Sequence, residues 1–354
     1  MNAVAHAAAS EVIDLRSDFL ARRTPAMEEA WARAQREPYR FGLREDPHQV
    51  ALERRIAQMT GHEDALVFPT CTMANLVGTM LGSSPGTRVI THQDAHMITS
   101  EAGGAAAIAG VQLVPIPGDP WTQQSQRWAD AVDGGDVQKP ACSLFVVENT
   151  HNRAGGLPLE RDYLEAICAI ARERGIRTHL DGARLFNAAA ALDTPLDTLA
   201  RGFDTVALSL NKGFGAPIAA VLAGSRSDMA KALVLRQRLG GGIRPTGPAA
   251  AATLAALDDV AHFAQSHRLA RRLAQGLAAI DAIAVDPAQV LSNIVVVTLP
   301  GPTTAVEVQA RLARHGLLAL PFGEHRLRMT TYRGITEAQI DTSVAIARRT
   351  LGGA

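Results

Sequence analysis

The sequence predicts an α/β protein: a mainly parallel central sheet covered by helices, followed by a smaller α+β domain at the C-terminal end. Three observations carry this. From about residue 50, brief apolar runs alternate with segments of helical spacing. Nearly every such run ends in polar residues, as strands do when they deliver side chains to a crevice at a sheet edge. Beyond "GGGIRPTGPAAAATLAAL" the pattern changes to one long helix and a few strands with longer spacing.

Taken in order, residues 1–50 hold few strand signals and read as an arm that packs against the body or a partner. "PHQVALERRIAQMTG" is amphipathic, with apolar residues at Val50, Leu52, Ile56 and Met59. "DALVFPT" is a strand running into a turn, and "TMANLVGTMLGS" resumes helical spacing. "TRVITHQ", "VQLVPIP" and "CSLFVVENTH" are strands. "ERDYLEAICAIARERG" is a helix with a glycine stop, and the strands "IRTHLDGA", "FDTVALSLN" and "PIAAVLAG" follow. Residues 51–250 therefore read as a large domain. Residues 251–354 read as the small one, with the helices "AHFAQSHRLARRLAQGLAAI" and "TAVEVQARLARHG" and the strands "SNIVVVTLP", "GLLALPFG" and "HRLRMTTY".

Composition narrows the function. The formal net charge is +0 with no basic block, which argues against nucleic-acid binding, since that needs a positive footprint. The start, "MNAVAHAAASEVIDLRSD", lacks a basic segment followed by a leucine-rich one, so no leader peptide is expected. No apolar run approaches the roughly 20 residues that span a bilayer. Cys71, Cys142 and Cys168 are too scattered for a disulfide framework or a CxxC metal site, and a reducing cytoplasmic compartment is expected.

The chemistry centres on Lys212. Among 35 basic residues only Lys139, Lys212 and Lys231 are lysines. One of them follows the strand "FDTVALSLN" and precedes Gly213 and Gly215. A buried lysine can lose its proton and form an imine with an aldehyde, which arginine cannot. Asp181 ends the strand "IRTHL"; it either caps the next helix or, beside such a lysine, holds a pyridinium nitrogen protonated. That pairing is what pyridoxal 5'-phosphate requires. Thr70 and Thr72 lie where "PTCTMAN" turns from strand to helix, a seat for phosphate or a plain cap. Arg244, in "LGGGIRPTG", could reach a phosphate or a carboxylate or belong to a flexible turn. His92 and His96 are four apart, as metal ligands can be. The segment lacks the glutamate of HExxH, so no metal is expected. His96 and His151 then read as an aromatic platform over a cofactor ring, a general base, or structural histidines. Arg184 and Arg328 are forks for a substrate carboxylate or members of surface ion pairs.

These residues lie in motifs that resemble the L-threonine aldolases, grouped with the β-eliminating lyases. "IDLRSDFLARRTPAMEEA", "REDPHQVALERRIAQMTGHEDALVFPTCTMAN", "DAHMITSEAGGAAAIAGV", "ENTHNRAGGLPL", "HLDGARLFNAA" and "LSLNKGFGAPIAAVLAGS" follow that family's motifs in order, nearly end to end. The resemblance implies an aspartate-aminotransferase-like fold and retro-aldol cleavage of L-threonine, L-allo-threonine or a related L-β-hydroxy-α-amino acid to glycine and an aldehyde. It implies that Lys212 joins the cofactor covalently and that Asp181 pairs with its ring nitrogen. Thr70, Cys71 and Thr72 would hold the phosphate, with Arg244 a contact from a neighbouring subunit. His96 would stack on the ring and His151 would lie near the substrate hydroxyl as base. Ser17, Arg184 and Arg328 would hold the carboxylate. A homodimer or homotetramer is expected, with no nucleic acid or membrane partner. Four positions depart from the family: Thr70-Cys71 for serine-glycine, Asn211 for the serine before the lysine, "SDFLA" for "SDTVT", and "IRPTG" for "MRQAG". The alternative is a lyase using the same cofactor to eliminate a β-substituent, giving a 2-oxo acid and ammonia.

Overall fold

The computed structural model describes residues 12–132, 136–299 and 301–352. Residues 1–11 of the expected arm, which carry most of the leader reading, lie outside the described residues. The strands are Ile13–Asp14 (β1), Asp64–Phe68 (β2), Arg88–His92 (β3), Gln112–Ile116 (β4), Cys142–Glu148 (β5), Arg177–Gly182 (β6), Thr205–Ser209 (β7), Ala220–Gly224 (β8), Ile294–Thr298 (β9), Leu317–Leu318 (β10), Leu320–Pro321 (β11) and Arg326–Thr330 (β12).

A seven-stranded sheet, in the order β2-β8-β7-β6-β5-β3-β4, forms the centre. The pairs β3–β4, β3–β5, β5–β6 and β6–β7 are parallel, as the alternation of strands and helices predicts. β8 runs antiparallel to both β2 and β7. Residues 210–219 are too few for a helical crossover, so β7 must turn back on itself. The inner strands are buried along nearly their whole length, and β7 and β8 carry no residue outside the core, whereas the edge strand β4 buries only Ile116. Such continuous apolar runs belong to a sheet covered on both faces.

The helix Cys71–Gly82 lies across β6 and β7 at close range. A Cβ at Gly78 would fall 2.4 Å from the ring of His179 on β6, so only glycine permits that approach. The helix Gly247–Leu257 carries Pro248 in its first turn, where a missing N–H costs nothing. Its Ala250, Ala252, Ala256 and Leu257 pack into the same core as Met27, Leu52 and Phe214. The boundary expected at 250 falls within this helix.

A second core lies under a three-stranded antiparallel sheet, β11-β12-β9. Leu269, Leu273 and Leu277 of the helix His262–Ala278 meet Val295, Val297 and Leu327 there, with Ile340 and Ile346 of the helix Glu337–Leu351. The segment "GLLALPFG" forms two short strands rather than one. Leu317–Leu318 pairs in parallel with β1, and Leu320–Pro321 pairs with β12. Pro321 has no N–H to donate, so it serves only at an edge. The N-terminal segment, read as poor in strand signals, thus supplies β1, and its Ile13 and Leu15 join the second core.

The turn after β7 depends on Gly215. Its φ is +70°, and a Cβ there would meet the carbonyl oxygens of Ala21 and Arg22 at 2.6 and 2.8 Å. Gly215→Ala is expected to destabilise the protein by about 1–3 kcal/mol. A thermal melt of the variant against wild type measures this, and an unchanged midpoint would refute the close approach.

Candidate active site

The carboxyl ends of β2, β3, β5, β6 and β7 deliver polar residues to one edge of the sheet. Glu148 and Asp181 are register partners at the ends of β5 and β6. Two adjoining cavities open there, sharing Phe19, His96, Ser100 and Lys212. The first, of about 300 Å³, is lined by Thr70, Cys71, Thr72, Asn75, Asp181 and Lys212 among others. The second, of about 430 Å³, is lined by Ser17, Asn152, Arg153, Arg184, Leu320, Phe322 and Arg328. Both lie within the size range of small-molecule sites, about 300–1,000 Å³.

Lys212 is 8% exposed, and its Nζ lies 5.3 Å from the centre of the Phe19 ring. The adjacent Gly213 N–H donates to the Asp18 carbonyl at 2.9 Å, which anchors the turn to the N-terminal segment. Asp181 is fixed at both oxygens: Oδ2 accepts from Asn75 Nδ2 at 2.9 Å, and Oδ1 accepts from the Ala183 N–H at 3.1 Å.

Asn75 is held in turn. His179 Nε2 donates to its Oδ1 at 3.1 Å, which leaves His179 Nδ1 to accept from Thr205 Oγ1 at 2.9 Å. Complete burial pushes His179 down to about 4, outweighing the pull of Asp181, so its ring is neutral. Asn75 Nδ2 also reaches Glu101 Oε1 at 3.1 Å, and that same oxygen accepts from His96 Nδ1 at 2.8 Å. The hydrogen bond to Glu101 raises the His96 pKa above its ordinary value against the effect of burial. With Nδ1 bound to Glu101, His96 turns Nε2 to the two cavities. The His96 N–H and the Asn152 N–H both donate to Glu148, at 2.6 and 2.9 Å.

Thr70 caps the helix Cys71–Gly82 by accepting from the Met73 N–H at 3.1 Å. The Cys71 and Thr72 amides are left without an intrahelical partner at the cavity wall, an arrangement suited to an anion. Cys71 does not have the left-handed backbone that would require glycine, so its side chain sits at this turn without strain. Burial, with the charge of Asp181, pushes its thiol well above the ordinary range. A lysine, a fixed carboxylate and an amide-lined helix start on one cavity wall fit pyridoxal phosphate. His96, Glu101 and Asp181 are also close enough to share a metal ion, but they are already joined by hydrogen bonds: Asn75 bridges Glu101 and Asp181, and Glu101 holds His96.

Arg184 is 6% exposed and forms a bidentate pair with the fully buried Asp18. Its Nε and Nη2 donate to Oδ2 and Oδ1 at 2.8 and 2.9 Å. Burial alone would raise the Asp18 carboxyl; the charge and hydrogen bonds of Arg184 outweigh it and hold Asp18 down at about 2. The Arg184 fork is thus spent on Asp18 rather than open to a substrate, and only Nη1 remains, 3.3 Å from Asn152 Oδ1. Arg184 lines the second cavity and not the first. Arg328 Nη1 donates to the same Asn152 oxygen at 3.0 Å, its Nη2 donates to the Arg16 carbonyl at 3.2 Å, and its Nε has no partner. Burial, then the charge of Arg184, pushes Arg328 down to about 10. A buried guanidinium with no carboxylate of its own is a receptor for one. Ser17 lines the same cavity, and its Oγ accepts from the Phe19 N–H at 3.3 Å.

Two expected residues lie elsewhere. His151 is 3% exposed and is not among the residues lining either cavity. Its Nε2 donates to His92 Nδ1 at 3.1 Å, since His92 Nε2 is committed to the Gly118 carbonyl at 3.0 Å. Its Nδ1 accepts from the Ala154 N–H at 3.3 Å. Both ring nitrogens are engaged, and burial holds His151 down to about 4. Arg244 is exposed and rests on Phe41, its Nη1 donating to the Phe41 carbonyl at 3.3 Å. Glu148 and Asn152 are read in sequence only as part of the polar strand end "ENTHN", and Asp18, Asn75 and Glu101 are not read as site residues. Asp18, Asn75 and Asn152 sit inside motifs already singled out for other residues; only their partners, distant in sequence, reveal what they do.

The described family that matches residues 14–300 is the β-eliminating lyases. The chain is 34% identical over 336 residues to a probable low-specificity L-threonine aldolase of Arabidopsis thaliana, covering 93% of this chain and 94% of that one. A Leishmania major threonine aldolase structure superposes with a TM-score of 0.82 at 22% identity, over 96% of this chain and 99% of the other. A structure of SPT with PLP superposes with a TM-score of 0.76 at 20% identity, over 97% and 89%.

Asp18→Asn would leave Arg184 buried without a counter-charge, at an expected cost of about 3–5 kcal/mol by urea denaturation. In the wild type, the contribution of Asp18 is complete above the unfolded carboxyl value of 3.8 and is lost as pH falls toward 2. Stability of the variant that matched wild type at neutral pH would contradict the pairing.

Proposed function

The chain belongs to the β-eliminating lyase family, and from that premise we propose that it cleaves an L-β-hydroxy-α-amino acid of the threonine class between Cα and Cβ. The products are glycine and an aldehyde, and pyridoxal 5'-phosphate is the cofactor. The observation that carries the reading is a shared wall: Lys212 and His96 line both the cavity that holds Asp181 and the one that holds Arg328.

When bound, the cofactor supplies an aldehyde that condenses with an amine and a cationic ring that takes up electron density from Cα. Lys212 provides the resident amine. Asp181, immobilised by Asn75 and the Ala183 amide, holds a proton on the ring nitrogen. The Cys71 and Thr72 amides with the Thr70 hydroxyl receive the phosphate. Arg328 and Nη1 of Arg184 hold the substrate carboxylate where Asn152 Oδ1 now bridges them. That grip orients the Cα–Cβ bond.

His96 is the base for the β-hydroxyl, taking the proton at Nε2, because its Nδ1 is occupied by Glu101 and its ring faces both cavities. His151, with both nitrogens engaged behind the wall, keeps His92 and the Asn152 turn in place instead. The chain acts as a homo-oligomer in the cytoplasm, a reading supported by the exposed Phe41 carrying Arg244 and by three cysteines with no disulfide. No helix among the described residues is long and apolar enough to cross a membrane.

Adding pyridoxal phosphate and L-threonine or L-allo-threonine should yield glycine and an equal amount of aldehyde; a 2-oxo acid with ammonia would make the protein an eliminating lyase instead. His96→Phe is expected to lower kcat by about 10²–10⁴, while His151→Gln costs less than about tenfold. The reverse order would return the base role to His151. The base must be neutral to accept a proton, so kcat/KM should rise with pH through the raised His96 value. Glu101→Gln removes the group that raises it and should move the midpoint of that profile to lower pH. An unmoved midpoint would exclude His96.

A further inference from the structure

The cavity beside Lys212 holds more positive charge than one α-carboxylate can balance. Arg153, Arg184 and Arg328 all line it. Asp18 is the carboxylate paired with any of them, and Arg184 takes both its oxygens. Among the described residues Arg153 forms no ion pair. Asp286 lies with Arg153 on a neighbouring cavity of about 210 Å³, but it caps the Ala288 N–H and forms no ion pair with Arg153. Arg153 is near enough to Arg328 that its charge, after burial and Arg184, helps to hold Arg328 down. Two guanidiniums without carboxylates in one cavity repel each other until an anion meets each.

Arg153 is also held in position. It sits on the turn Asn152–Ala154, which Glu148 fixes through the Asn152 N–H. Its guanidinium stacks 4.6 Å above the Phe322 ring, with Nη1 3.5 Å from the Phe322 carbonyl. Phe322 is 5% exposed, so the platform is itself packed into the protein. An arginine stacked on a ring keeps its remaining in-plane donors free for a planar anion.

We propose that the physiological substrate is an L-β-hydroxy-α-amino acid whose side chain carries its own carboxylate, with Arg153 as the receptor for that second carboxylate. The proposal rests on the aldolase reading above: Arg328 takes the α-carboxylate, and Arg153 takes the one beyond Cβ. For L-3-hydroxyaspartate the chemistry balances without an oxidant. The Cα–Cβ bond breaks, the hydroxyl gives up its proton as its oxygen becomes an aldehyde carbonyl, and Cα gains a proton. The products are glyoxylate and glycine.

The test compares L-aspartate with L-alanine as ligands of the holoenzyme, read from the absorbance of the bound cofactor, so that no cleavage is needed. L-Aspartate should bind at least about tenfold more tightly, Arg153→Met should abolish the difference, and Arg153→Lys should restore part of it. Equal binding by the wild type, or a difference that survives in Arg153→Met, would overturn the proposal. The ratio of kcat/KM for L-3-hydroxyaspartate to that for L-threonine should fall at least about tenfold in Arg153→Met, and an unchanged ratio would also overturn it. Failure to cleave any β-hydroxy-α-amino acid would instead defeat the aldolase reading, with the binding comparison still deciding the role of Arg153. A circular dichroism melt of each variant separates loss of the receptor from loss of the fold.

Discussion

The buried pair between Asp18 and Arg184 is the constraint on which the site depends. Asp18 comes from the N-terminal segment, Arg184 from the turn after β6, and Asn293, which donates to Asp18 Oδ2 at 3.2 Å, from the entrance to β9. One fully buried carboxylate thus ties together three stretches of chain that each have other packing to satisfy. Its backbone carbonyl also receives the Gly213 N–H beside Lys212. A buried pair of this kind earns little net stability, but once formed it tolerates no rearrangement, because either charge alone would be stranded in a dry interior. Satisfying Arg184 internally is also what leaves Arg328 without a carboxylate and ready for a ligand.

A second set of polar contacts sets the chemistry of the first cavity. Thr205, His179 and Asn75 form a chain of hydrogen bonds with one consistent direction, and its last donor is shared between Asp181 and Glu101. The chain works because His179 stays neutral, and it stays neutral because the helix Cys71–Gly82 lies so close to β6 that no water reaches it. Gly78 is what allows that approach. A packing requirement on one helix face therefore fixes the carboxylate that a pyridinium would meet and, through Glu101, the proton affinity of His96.

The two cavities divide the work electrostatically. Asp181 lines the first, with Glu101 joined to it through Asn75; Arg153, Arg184 and Arg328 line the second. Lys212 and His96 stand between them. Such a gradient favours a cationic ring on one side and an anionic amino acid on the other, and it draws the reacting atoms to the wall where the lysine and the histidine meet.

Much of this was legible in the chain itself. Apolar runs ending in polar residues identified the sheet and the edge that carries the site, and the rarity of lysine singled out Lys212, because local spacing and residue chemistry are properties of neighbours in sequence. The ends of β10 and β11, the reversal of β8 and the packing of Gly247–Leu257 against the first core were not legible, since each depends on what an element meets in space. The same holds for side chains that have two plausible partners. Arg184 reads as a substrate fork until Asp18, 166 positions away, takes it. His151 reads as a base until His92 and the Ala154 amide occupy its nitrogens. Sequence by itself determined which chemical groups are present and which strand ends carry them. Tertiary structure decided which groups are already neutralised and which remain open to a ligand, because a hydrogen bond or ion pair is short-ranged and is assigned only when the chain has folded.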